Sequence, residues 1–160
     1  MNVIPPSFFE RPVLDICPEL MGHFLVIRTP DGEVLRSEIH EIEAYDGPED
    51  KACHASKGRT ARTEVLYGPA GHWYVYLCYG VHWLLNVVTG PEDYPAAILI
   101  RGVGDWGGPG ILTRELQIDK SYNAKPAIES TGLWFEFNPD LKKDDEISTG
   151  PRIGVDYAGE

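Results

Sequence analysis

Two turn signals constrain this chain more than any other feature. Pro30-Asp31-Gly32 separates the runs Phe24 to Arg28 and Val34 to Ala44, and Tyr79-Gly80 separates Trp73 to Cys78 from Trp83 to Thr89. The Asp31-Gly32 step supplies the positive φ that a tight reversal demands, so the first pair of runs reads as an antiparallel hairpin, and the second pair reads as another around Tyr79-Gly80. Ala97 to Arg101 and Leu133 to Phe137 are further short strands, and Ile111 to Gln117 is a helix. Pro18-Glu19-Leu20-Met21-Gly22 reads as a short helical turn, with Pro at its first position and Gly just past its end. Gly47-Pro48 opens an irregular loop that runs to about Tyr67. The pattern predicts an α+β fold: one domain over residues 1–160, a mostly antiparallel β-core, peripheral helices and a protruding β-hairpin.

Bulk properties agree with one globular unit. The chain has 160 residues and a 42% hydrophobic composition, enough for a real core. No stretch approaches the ~20 apolar residues of a membrane helix. Met1 to Glu10 has no basic stretch followed by an apolar run, which points away from a secretory signal and toward a cytoplasmic protein. Cys17, Cys53 and Cys78 follow no metal-binding spacing and read as inert free thiols in a reducing compartment.

Charge argues against strong attraction to a phosphate backbone, because the formal net charge is −11. Lys51, Lys57, Arg59 and Arg62 locally reverse that balance, since no acid stands between Lys51 and Thr63. This segment is either a solvated loop or a phosphate clamp.

Chemistry concentrates between Glu43 and Arg101. A carboxylate and an aromatic (Glu43, Tyr45) are followed by His54, then Tyr74, Tyr76 and Tyr79 on the second hairpin, an amide (Asn86) and an arginine (Arg101). Alternation along a strand puts Glu41, Glu43 and Tyr45 on one face and His40 and Ile42 on the other. Tyr74 and Tyr76 share a face, while Tyr79 falls at the turn and can point outward. Such a set suits gripping a flat, electron-poor ring beside an activated water. Each residue also has an ordinary reading: core aromatics, a solvated acid, a structural salt bridge, a hydrogen-bonding Asn.

The order of these residues resembles the alkyladenine (3-methyladenine) DNA glycosylase family of the mammalian type. The resemblance runs from Phe8-Phe9 through Leu20-Met21-Gly22, Glu43-Ala44-Tyr45, Gly47-Pro48-Glu49-Asp50 and His54. It continues through Tyr74-Val75-Tyr76, Tyr79-Gly80, Asn86, Leu99-Ile100-Arg101 and Gly108-Pro109-Gly110 to Arg152-Ile153-Gly154-Val155. It implies a monofunctional enzyme that flips alkylated or deaminated purines out of double-stranded DNA and hydrolyses their N-glycosidic bond. It also implies a monomer that uses neither metal nor redox cofactor.

Carried over by position, the resemblance makes Glu43 the general base and Arg101 the residue that helps hold the attacking water. Tyr45, His54 and Tyr76 match the residues that sandwich the flipped base. Tyr74 joins them as a substrate-binding candidate because it shares the face of Tyr76. Asn86 matches the side chain that clashes with the exocyclic amine of normal guanine, and Tyr79 the wedge that fills the space left by the flipped nucleotide. As a bacterial-type protein the chain is expected in the cytoplasm at the nucleoid.

Departures are specific. Ile111 stands where the family usually has a basic residue, and the segment between Arg101 and Gly108 is short. The sequence ends at Glu160, before the terminal strand usual in the family, so either the chain is truncated or it lacks part of the closing core. Two other classes remain in play: a relative that binds damaged bases without turnover, and a metal-dependent hydrolase built on His40, Glu41, Glu43 and His54. Opposite strand faces for His40 and Glu43 disfavour the latter.

Overall fold

Chain reversals at Gly32 and at Tyr79-Gly80 generate the hairpins from which the sheet grows. The computed structural model describes residues 2–50 and 59–141. After β1 (Val3–Ile4) and helix α1 (Val13–Leu20), the first hairpin joins β2 (Phe24–Arg28) to β3 (Val34–Asp46). The second joins β4 (Trp73–Cys78) to β5 (His82–Val88), and β6 (Ala96–Val103), β7 (Trp106–Gly107), α2 (Pro109–Leu116) and β8 (Leu133–Glu136) follow. These strands form one eight-stranded sheet in the order β1-β8-β2-β3-β6-β5-β4, with β7 on β6. Every ladder among the described residues runs antiparallel, so they form the single α+β unit that the turn signals predict.

Strand alternation divides the side chains between two clusters. The main core holds Ile39, Val75, Leu85, Val87, Ile98, Ile100, Trp73 and Phe135, together with Val13, Ile16 and Leu20 of α1 and Leu112 and Leu116 of α2. Trp73 is fully buried and its indole N–H donates to the Leu133 carbonyl at 3.0 Å, which satisfies the polar atom that so deep a Trp must carry inward. A smaller cluster forms on the opposite face from Leu66, Tyr74, Val88 and Ala97, with Tyr45 and Tyr76 packed against it. β6 lies between the two and is buried along most of its length, which explains its near-continuous apolar sequence.

Two local expectations are corrected. The helix near Pro18 spans Val13–Leu20, with Pro18 inside its last turn rather than at its start. Val13, Ile16 and Leu20 bury one face at helical spacing, and that stripe outweighs a backbone bond worth up to ~3 kcal/mol that proline removes. Gly22 does end the helix in a left-handed conformation (φ 85°), its N–H bonded to the Ile39 carbonyl at 2.8 Å. The second correction concerns His40, which does not share a face with Ile42. The β3–β6 register shifts between Ile39 and Glu41 and again between Glu41 and Ile42. Ile42 packs on the core, whereas His40 is exposed with Nε2 3.1 Å from the Gly104 carbonyl.

Candidate active site

The site is built from rows of residues that run across four strands. Glu43 pairs with Leu99, Leu99 with Asn86, and Asn86 with Tyr74. Paired residues project to the same side of a sheet, so this row places the acid, the amide and a tyrosine on one face. Tyr45, Ala97 and Val88 form the row beside it, and Tyr76 and Leu84 are paired on its other side. Strands lie about 4.8 Å apart, so the row from Glu43 to Tyr74 is roughly 14 Å long, wide enough to seat a purine and its sugar.

Glu43 is only 7% exposed, which is unusual for a carboxylate, and two donors approach its Oε1. The Tyr45 hydroxyl donates at 2.9 Å, and the Arg101 guanidinium nitrogen Nη1 stands 3.8 Å away. Arg101 also approaches Glu41, with Nε 3.6 Å from Oε2. Its position follows from the double register shift, because β6 contributes Arg101 as the residue left between the Ile42–Ile100 and Glu41–Gly102 pairs. Gly102 makes the bulge possible: a Cβ there would stand 2.5 Å from the His40 ring.

Asn86 is 3% exposed, and its Nδ2 donates to the Tyr74 carbonyl at 3.1 Å. Tyr74 is equally buried and its ring centroid lies 5.2 Å from that of Tyr76, so it supports Tyr76 from beneath. Burial, reinforced by Tyr74, pushes the Tyr76 phenol well above its ordinary pKa, which keeps it neutral across the physiological range. Tyr79 stands apart. It occupies the hairpin loop with φ 52° and is 94% exposed, so it neither folds back on Trp83 nor joins the aromatic cluster. The structure thus brings Glu43, Tyr45, Tyr74, Tyr76, Asn86 and Arg101 to one face, with Tyr79 projecting from the adjoining hairpin. His54 lies outside the described residues.

Two residues named from the sequence, Arg62 in the cationic segment and Glu41 on the face of Glu43, make contacts at this site that the sequence did not announce. The Arg62 guanidinium sits 4.9 Å above the Tyr76 ring, and Glu41 flanks Arg101. Neither contact has a local spacing signal. Of the cationic segment, Arg59 is held by Glu64 at 2.6 Å and by Asp93 at 3.4 Å, which makes it a poorer phosphate ligand than its sequence setting suggests. Among the described residues no group of three His, Cys, Asp or Glu side chains could hold a metal ion.

A sequence profile for the family described as Methylpurine-DNA glycosylase (MPG) matches residues 7–104 and 106–160. The chain belongs to the methylpurine-DNA glycosylase family. Three similar relatives carry the name "Putative 3-methyladenine DNA glycosylase". That of Methanocella arvoryzae is 43% identical across 100% of this chain and 88% of its own length. Those of Psychrobacter cryohalolentis and Legionella pneumophila (strain Corby) are 38% and 40% identical, covering 99% and 100% of this chain and 87% and 90% of the relatives. No helix among the described residues is long and apolar enough to cross a membrane.

Proposed function

We propose that this protein is a monofunctional DNA glycosylase that flips an alkylated or deaminated purine from duplex DNA and hydrolyses its N-glycosidic bond. The observation that carries the reading is the buried Glu43, with Tyr45 and Arg101 at its Oε1 and the tyrosine cluster on the same face. Glu43 takes a proton from water as the water oxygen forms a bond to the sugar's anomeric carbon. The glycosidic bond breaks, and its electron pair leaves with the base. Negative charge at Glu43 also favours the oxocarbenium-like sugar of such a transition state. Arg101, with Nη1 3.8 Å from Glu43 Oε1, holds the water beside the carboxylate.

Tyr45 and Tyr76, with His54, grip the extruded base. Many alkylated purines are cationic, and an aromatic face attracts a cation by ~0.5–2 kcal/mol. That preference adds to the easier extrusion of a weakly paired base. Asn86 excludes the guanine amine, and Tyr79 fills the vacated stack.

The test is base release from a duplex carrying one hypoxanthine, and from methylated DNA, at low salt and without added metal. Wild-type protein releases the base. Glu43→Gln keeps the shape but cannot accept the proton, so single-turnover excision falls by at least ~10²–10⁴-fold while lesion binding persists. Near-normal excision by Glu43→Gln would remove Glu43 from this role. Lesion binding without release by the wild type would make the protein a damage-binding relative.

A further inference from the structure

Arg101 is the group whose environment the reaction alone does not explain. Its side chain is 13% exposed, and among the described residues Nε is buried with no hydrogen-bond partner. Leaving a buried guanidinium donor unmet is costly, so a nearby counter-charge should have a purpose. Among the described residues the acids within ion-pair distance are Glu43, near Nη1, and Glu41, 3.6 Å from Nε. A guanidinium is planar and its donors form a rigid fork, so fixing the Nε edge also fixes where Nη1 points.

We propose that Glu41 is a positioning residue: held beside the Nε edge of Arg101, it aims the guanidinium's other donors at Glu43. The inference rests on the reading of Glu43 and Arg101 as the reaction centre. Backbone geometry supports it. The paired register shifts place Glu41 opposite Gly102 and leave Arg101 between the paired positions, so the two side chains meet beside the bulge. A Cβ on Gly102 would lie 3.2 Å from the Glu41 Cβ as well as against His40, so glycine leaves room for the acid to take this position. Exposure separates the two carboxylates. Glu41 is 45% exposed and keeps much of its hydration, whereas Glu43 is 7% exposed and faces the tyrosines. A hydrated acid on the far side of the arginine is suited to orienting it and not to taking the water's proton.

The experiment is a double-mutant cycle read by single-turnover release of hypoxanthine, with lesion-duplex Kd measured in parallel. Glu41→Ala is expected to slow release roughly 10- to 100-fold while Kd stays within about twofold, because a misaimed group harms the reaction more than binding. Glu41→Gln keeps an oxygen of the same reach beside the Nε edge, without the charge, and recovers part of the rate. The double variant Glu41→Ala/Arg101→Ala is no slower than Arg101→Ala, since a residue acting through Arg101 has nothing left to position. Losses that multiply, or a Glu41→Ala rate close to wild type, overturn the proposal. If the wild-type protein releases no base, the glycosylase reading fails, and positioning is read from the 15Nε–1Hε signal of Arg101, assigned by its disappearance in Arg101→Lys. That signal should shift or broaden in Glu41→Ala and return in Glu41→Gln. An unchanged signal in Glu41→Ala overturns the positioning proposal by itself.

Discussion

Asn86 answers to two demands with one amide. Its Nδ2 donates across the hairpin to the Tyr74 carbonyl, and its place between Tyr74 and Leu99 puts it under the proposed base pocket. Asn86→Ala therefore removes a buried hydrogen bond, worth about 1 kcal/mol, and opens space for the guanine amine. We expect a melting temperature lower by roughly 2–4 °C and a raised excision of guanine relative to hypoxanthine. A variant with that small loss of stability and unchanged guanine discrimination would leave Asn86 a structural residue. Tyr79 presents the opposite balance. A bulky side chain at φ 52° costs on the order of 1–3 kcal/mol, and a ring that is 94% exposed gains almost nothing from the core. Tyr79→Gly relieves that strain, so the variant should be no less stable than wild type. It should also lose excision on paired duplex, where a stack must be filled, and lose much less on a single-stranded lesion. Equal losses on the two substrates, or a clear drop in melting temperature, would mean that Tyr79 supports the fold.

Among the elements, β8 shows where local sequence stops being informative. It enters the sheet between β1 and β2, pairing with Val3–Ile4 on one side and Phe24–Ile27 on the other, contacts that no turn signal announces. Glu136 at its end ties β8 to β3. It accepts from Arg36 Nε at 2.7 Å and from the buried Trp134 indole at 2.9 Å. Burial raises its pKa, but the Arg36 and Trp134 donors outweigh burial and hold the carboxyl below its ordinary value. A depressed folded pKa means that this stabilisation is present above the unfolded value of about 4.3 and is lost as pH falls through the folded one. Glu136→Gln should cost about 1 kcal/mol in urea unfolding at pH 7, with the gap to wild type closing below about pH 4. A gap that does not narrow as pH falls below about 4 would show that shape, and not charge, matters there. The hairpins β2–β3 and β4–β5 were readable because their turns are encoded by adjacent residues. The helix at Pro18 was misplaced because a proline in the last turn imitates one in the first. In the site, Glu43 and Tyr45 fall on one face by simple alternation. The Glu41–Arg101 contact depends on a double register shift, and the Arg62–Tyr76 stack joins separate elements, so neither could be read from spacing.

At the scale of the whole molecule, the formal net charge of −11 must be reconciled with a polyanionic substrate. Much of the positive charge is spent internally: Arg11, Arg28, Arg36, Arg59, Arg101 and Arg114 each stand within ion-pair distance of an acid. Arg62 is the described arginine with no such ion pair. It lies on Tyr76 at the rim of the candidate site, with Nη2 3.5 Å from the Leu77 carbonyl, where it can meet a DNA phosphate beside the proposed base pocket. Each phosphate neutralised on B-DNA contributes about −0.9 to the slope of log K against log salt concentration. If the cations of the segment (Lys51, Lys57, Arg59 and Arg62) supply the contacts, the slope for a lesion duplex should be no steeper than about −3.6. Arg62→Ala should flatten that slope by roughly 0.9, whereas Arg59→Ala, whose charge Glu64 and Asp93 already occupy, should change it less. Fluorescence anisotropy of a labelled lesion duplex titrated across potassium chloride concentrations measures all three slopes. A wild-type slope well beyond −3.6 would place phosphate contacts outside this segment. An Arg62→Ala slope equal to wild type would confine Arg62 to its stack on Tyr76.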